Sequence, residues 1–181
     1  MLLVYGGSFN PPTIAHYAIA KFLIKKYSCD LVFVPVGNSY SKDDLAPFIH
    51  RYRMLEIISK DLGCNVSKID DTKEYLGTYE ILKILSNIDK DIYFIMGADN
   101  LKDISRWKNA DKLIKEFKFI ILTRGDIDCN SLVCNLDYKE NFIIEKIDLD
   151  ISSTSFREEK NENVIPTQVL DYIKDNNLYE V

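Results

Sequence analysis

"GGSFNPPTIAHYAIA" (residues 6–20) follows directly on the apolar run "LLVY" (residues 2–5), and the reading of this junction decides the fold. A short, continuous apolar run suits a strand covered on both faces. Ile14, Ala18 and Phe22, joined by Ala15, Ile19 and Leu23, then give the wide apolar face of a helix. Glycines at Gly6 and Gly7 let backbone N–H groups approach a ligand closely, and the helix start beyond them carries partial positive charge, so the junction suits a phosphate. Pro11 and Pro12 end the turn and preset the chain for helix entry. Thr13 and His16 are three residues apart and share one face of the first helical turn. Either they meet an anion held at the glycines, or they are a capping threonine and a satisfied histidine; the segment alone admits both.

The same alternation continues along the chain. Short runs rich in β-branched and aromatic residues recur at 31–36, 92–96, 117–122 and 142–147, with a weaker one at 66–69. Between them, Tyr52, Leu55, Ile58 and Leu62 keep helical spacing, and Gly63 stands where a C-terminal cap belongs. Thr78 is placed to cap a helix running to about residue 88, with Glu80 in its first turn. Residues 110–115 and 167–176 also read as helices, and the polar stretch 126–141 reads as a loop. Strands alternating with helices predict an α/β chain: a Rossmann-like, doubly wound, mostly parallel sheet flanked by helices, in one domain over residues 1–181. Ligands of such folds bind beyond the carboxyl ends of the strands, where the strand order reverses.

Composition narrows the partners. A chain of 181 residues with 46% hydrophobic and 28% charged residues is one globular domain with a sizeable core. No run is long enough to span a bilayer, and no basic-then-apolar leader opens the chain, so a cytoplasmic location without a membrane partner is expected. A net charge of −5 argues against nucleic acid as a partner while allowing a small phosphorylated ligand held by local cations. Cys29, Cys64, Cys129 and Cys134 are scattered; no second pair and no nearby histidine completes a metal site, so they read as reduced thiols. A homo-oligomer is compatible with the sequence without being required by it.

Two further segments carry chemistry. "ISSTSFR" (residues 151–157) places hydroxyl residues ahead of a helix start, with Ser155 and Glu158 at capping-box spacing and Arg157 directed at anions there. "MGADNLKDISRWKNADKL" (residues 96–113) follows the strand at 92–96. Gly97 permits close backbone approach, and Asp99 can accept hydrogen bonds from ribose or amide donors. Trp107, the only tryptophan, is either a partly buried anchor or a stacking surface.

Taken together these motifs resemble a known family. "GGSFNPPTIAH" resembles the (His/Thr)-x-x-His signature of the nucleotidyltransferase superfamily, and "ISSTSFR" its closing motif. Residues 96–107, with "VLDYIKDNNLY" (169–179), are similar to the bacterial nicotinate mononucleotide adenylyltransferase family. The resemblance runs from residue 2 to residue 179. It implies an enzyme that moves the adenylyl group of ATP to nicotinate mononucleotide, with Mg2+ accompanying ATP, and yields nicotinate adenine dinucleotide and pyrophosphate for NAD biosynthesis. It implies catalytic roles for His16, Thr13, Lys42 and Arg157. ATP would be held by Gly6, Gly7, Ser8, Phe9 and His16, by Gly97 and Asp99, and by Ser152, Ser153, Thr154 and Arg157. The mononucleotide would meet Lys42, Arg51, Thr78 and Trp107. Departures are Thr13 for the usual histidine, Ala15 for glycine, Ser39, Tyr40 and Ser41 for Pro-Pro-His, and Lys108 for an aromatic. Alternatives are a transferase acting on nicotinamide mononucleotide, pantetheine phosphate or another phosphorylated acceptor, and a regulatory nucleotide-binding domain without turnover. Trp107 with Thr78 favours a pyridine nucleotide; intact Thr13, His16, Lys42 and Arg157 argue for turnover.

Overall fold

The computed structural model describes residues 1–40, 44–123, 127–147 and 153–180. Six strands, β1 (Leu2–Gly7), β2 (Asp30–Pro35), β3 (Asn65–Val66), β4 (Ile92–Gly97), β5 (Lys118–Thr123) and β6 (Phe142–Lys146), form one sheet in the order β3-β2-β1-β4-β5-β6. Every pairing is parallel. Successive side chains of a strand point to opposite faces. Leu3 and Tyr5 therefore pack with α1 (Ile14–Tyr27), α2 (Phe48–Leu62) and α8 (Thr167–Asp175), through Leu23, Met54, Leu55, Val169 and Ile173. Val4 packs on the other face with α3 (Thr78–Leu85) and α5 (Ala110–Glu116), through Leu82, Leu85 and Leu113. Both faces are dry, which is why the strands read as unbroken apolar runs.

The doubly wound sheet matches the sequence expectation, and the differences are local. Gly6 and Gly7 are not turn residues: they extend β1, opposite Val34 and Pro35 of β2. A Cβ on Gly6 would stand 2.6 Å from the Phe94 ring on β4, so packing alone favours glycine there. Thr78 is not the cap of α3. Gly77 holds that position with φ 85, a conformation that favours glycine, and the helix stops at Leu85 rather than near 88. Gly63 does cap α2, in the left-handed conformation.

The stretch 126–141 is not loop throughout. Asp128 accepts from the Ser131 N–H to cap α6 (Cys129–Cys134), which buries Cys129 and Val133. A two-residue apolar signal in so short a helix gives periodicity nothing to register. Likewise α7 (Ser153–Glu159) already includes Ser155 and Glu158, so the expected capping box does not start that helix. Among the described residues no helix is long and apolar enough to cross a membrane.

Candidate active site

The chain leaves β1 for β2 on one side and finds β4 on the other, so the strand order reverses at β1. That reversal opens a cleft beyond the carboxyl ends of β1 and β4. Two cavities meet there, sharing Gly6, Gly7, Ser8 and Asn100. The smaller, about 240 Å³, also touches Phe9, His16, Gly97, Asp99, Thr123 and Ser153. The larger, about 410 Å³, is walled by Tyr40, Tyr75, Thr78, Phe94, Trp107 and Lys108.

His16 is held rather than merely placed. The backbone N–H of Thr13 donates to His16 Nδ1 at 2.9 Å, and Thr13 Oγ1 lies 2.8 Å from the same nitrogen. Thr13 Oγ1 in turn receives the His16 N–H at 3.5 Å, so a reciprocal capping box starts α1. A backbone N–H can only donate, so Nδ1 is the acceptor and the neutral ring carries its proton on Nε2. The ring is set between Phe9, edge-on at 5.1 Å between centroids, and Tyr5 at 6.1 Å. Thr13 is 0% exposed. The expectation that both side chains meet phosphate is thus corrected: Thr13 fixes the tautomer and orientation of His16, and His16 alone lines the cavity.

The loop between β1 and α1 is braced from behind. Phe9 has φ 44, the left-handed region, and its ring is buried against Tyr5 and Phe33. A left-handed residue in a tight turn brings consecutive N–H groups toward one point, a recurrent anion-binding arrangement. Arg51 was expected to touch the mononucleotide, and the structure places it elsewhere. It is 0% exposed, lies against Phe48, and donates from Nε to the Ala46 carbonyl and from Nη1 to the Ser8 carbonyl at 3.0 Å. Burial lowers its pKa from the ordinary guanidinium range. Its role here is to tether the glycine loop to α2.

Across the cleft, α7 contributes Ser153, whose hydroxyl donates to the Pro11 carbonyl at 2.7 Å, and Arg157, whose Nη1 donates to the Asn10 carbonyl. Arg157 Nη2 also reaches Thr154 Oγ1 at 3.5 Å. The guanidinium is therefore anchored beside the smaller cavity, with Thr154 exposed next to it. On the larger cavity Trp107 stands edge-on to Phe94, with ring centroids 6.1 Å apart, and Tyr40 lies 5.4 Å from Tyr75. Lys108 Nζ donates to the Tyr75 carbonyl at 3.2 Å. Asp70, 1% exposed, accepts the Gly37 N–H at 2.9 Å through Oδ2, while its Oδ1 has no partner. Burial raises its carboxyl pKa above the ordinary value, against the opposing pull of the Gly37 bond and the Arg51 charge.

The structure thus gathers Gly6, Gly7, Ser8, Phe9, His16, Gly97, Asp99 and Ser153 at one cavity, and Thr78 with Trp107 at the other. Lys42 and Ser152 lie outside the described residues. Sequence reasoning missed Tyr75, Asn100 and Asp70, and noted Tyr40 only as a departure from the family pattern. It also noted Lys108 only as a departure, although a cation on each side of the sole tryptophan ("RWK", residues 106–108) was a usable signal in an acidic chain.

A parallel sheet whose order reverses above a braced glycine loop and two joined cavities is a Rossmann-like domain with room for two ligands. The cytidylyltransferase-like family model matches residues 4–159, and the chain belongs to that family. It is 41% identical to a "Probable nicotinate-nucleotide adenylyltransferase" of Acholeplasma laidlawii, over 99% of this chain and 98% of that protein. A Clostridium acetobutylicum protein of the same name is 35% identical, with 97% of each chain covered. Among solved structures, the Plasmodium falciparum nicotinic acid mononucleotide adenylyltransferase complexed with NaAD superposes with a TM-score of 0.85 at 26% identity. That match covers 99% of this chain and 97% of the other.

Proposed function

We propose that the protein transfers the adenylyl group of ATP to nicotinate mononucleotide, releasing pyrophosphate and forming nicotinate adenine dinucleotide. The observation that carries this reading is the meeting of the two cavities at Gly6, Gly7 and Ser8. Two phosphorylated substrates bound on either side would bring their phosphates together there.

The mononucleotide phosphate attacks the α-phosphorus of ATP in line, the P–O bond to pyrophosphate breaks, and the bridging bond of the dinucleotide forms. A phosphate is already a competent nucleophile near neutral pH, so no strong general base and no enzyme-bound intermediate is needed. Catalysis comes from positioning and from stabilising charge on the transferring group. His16, with its proton on Nε2, donates to that group; Arg157 and the α7 start hold the departing pyrophosphate. Magnesium would accompany ATP as part of the substrate, neutralising phosphate charge and asking few ligands of the protein. On the acceptor side the pyridine ring stacks on Trp107, and its carboxylate takes N–H donors at the Gly77–Thr78 start of α3.

The test is stoichiometric. Purified protein with ATP, magnesium and nicotinate mononucleotide should release one pyrophosphate per dinucleotide formed. Pyrophosphate without dinucleotide, or turnover only with pantetheine phosphate, would overturn the reading.

A further inference from the structure

The last turn of the chain reaches back to its first loop. After α8, Asn177 and Tyr179 both adopt positive φ, 49 and 60, so the chain doubles back on itself. Positive φ is unusual for a residue as bulky as tyrosine and persists only where the surroundings enforce it. Three contacts enforce it here. The Leu178 N–H donates to the Ile173 carbonyl at 3.0 Å, the Tyr179 ring sits edge-on to Phe156 at 5.8 Å, and Lys160 Nζ donates to the Tyr179 carbonyl.

Held this way, the Tyr179 hydroxyl donates to Asn10 Oδ1 at 2.8 Å. Burial pushes the phenol pKa far up, so the group stays a donor across the working pH range. Asn10 is itself buried, 3% exposed, and is bonded through both ends of its carboxamide and through its backbone carbonyl. Its Oδ1 also accepts the Ala46 N–H at 3.0 Å, its Nδ2 donates to the Asp44 carbonyl at 2.8 Å, and its own carbonyl accepts from Arg157. The two donors at Oδ1 and the acceptor at Nδ2 leave the carboxamide one orientation. One asparagine therefore ties together the phosphate loop, the segment entering α2, the α7 arginine and the C-terminal turn. Ser8 and Phe9, immediately before it, line the smaller cavity.

We propose that Tyr179 is a positioning residue for adenylyl transfer: the C-terminal turn acts as a latch that sets the phosphate loop and Arg157 through Asn10. Its kinetic part rests on the transfer activity proposed above; its structural part does not. Removing the hydroxyl leaves one lone pair of a buried acceptor unmet, and the loop gains freedom that a bound ground-state ligand tolerates better than a transition state does. Misplacement by about 1 Å can cost two decades of rate.

The experiment uses the full chain with Tyr179→Phe, which keeps the ring on Phe156, and Tyr179→Ala, which removes both contacts. Tyr179→Phe should fold with nearly unchanged Tm and lower kcat by about tenfold, while KM for ATP changes by less than about twofold. In the same variant, amide hydrogen exchange in residues 7–10 should accelerate by about five- to tenfold, the scale expected from one lost hydrogen bond. The exchange readout needs no turnover, so it judges the latch even if the wild-type protein fails to transfer adenylyl groups. Wild-type kcat and wild-type exchange in Tyr179→Phe would overturn the proposal. So would a loss confined to Tm, with kcat per folded molecule unchanged in both variants.

Discussion

The two cavities share a rim, yet they are built differently. The smaller one is framed by groups that are cross-braced: Thr13 on His16 Nδ1, Arg51 on the Ser8 carbonyl, Ser153 on the Pro11 carbonyl and Arg157 on the Asn10 carbonyl, with Thr13 and Arg51 fully buried. The larger one has a buried floor, with Phe94 and Met96, but its rim is made of side chains that face water. Tyr40 and Tyr75 are among the exposed large residues, Trp107 is half-buried, and Lys108 is fixed by one exposed hydrogen bond. Electrostatic stabilisation of a transition state works only when the donors are already in place, because reorganising them costs what they would gain. Acceptor recognition tolerates side chains that close on the ligand. On the proposed function, the difference would put rate in the braced half and choice of acceptor in the open half.

Breaking the braced half should have the largest effect. His16→Ala removes one preorganised donor and should lower kcat by about 10²–10³ while circular dichroism and Tm stay near wild type. A folded His16→Ala protein with nearly full kcat would end that assignment. Breaking the open half should act on a different constant. Trp107→Ala loses a stacking surface whose typical contribution is about 1–3 kcal/mol, so KM for the mononucleotide should rise by roughly 5- to 150-fold. Binding of an unreactive ATP analogue, followed by calorimetry, should change little. Equal losses for both substrates would erase the division between the halves.

A smaller effect sharpens the comparison at its boundary. Asp70 lies at the larger cavity but is nearly sealed, and burial raises its carboxyl pKa above the ordinary 3.8. A carboxyl with a higher pKa folded than unfolded stabilises the fold while protonated, and that contribution is lost as pH rises through the folded value. Asp70→Asn keeps an acceptor for the Gly37 N–H but cannot ionise. Its Tm relative to wild type should therefore improve as pH rises from about 4 to about 7. A difference flat with pH would mean that ionising Asp70 costs the fold nothing.

How much of this was legible follows from how far each signal reaches along the chain. Five apolar runs became strands within a residue or two, because a doubly covered strand writes its burial into consecutive residues. The Gly6–Gly7 pair was visible as a ligand approach, but its clash partner, Phe94, is 88 residues beyond Gly6 and lies beside it only once β4 pairs with β1. Thr13 and His16 were open to two readings, capping and phosphate binding, because both draw on the same spacing; the structure shows the capping box the two residues form and leaves His16 on the wall of the smaller cavity. Arg51 looked like a ligand-binding cation from its motif position. Sequence cannot reveal that the two carbonyls it serves, at Ser8 and Ala46, converge on a site closed to solvent. The open half was the least legible: Tyr40, Tyr75 and Asp70 come from loops that converge only after the sheet has formed, with no periodicity to mark them.

The most direct test of the account is the ratio of kcat/KM for nicotinate mononucleotide to that for nicotinamide mononucleotide, measured on the wild-type protein under one set of conditions. The two acceptors share ribose, phosphate and ring, and differ by a carboxylate against a neutral amide. The braced half should treat them alike, so any discrimination arises in the open half, where N–H donors at residues 77–78 favour the carboxylate. A charge-assisted hydrogen bond is worth about 1.5–3 kcal/mol, so the ratio should favour the nicotinate form by about one to two decades per contact. A ratio near unity, or a preference for the amide, would contradict the account.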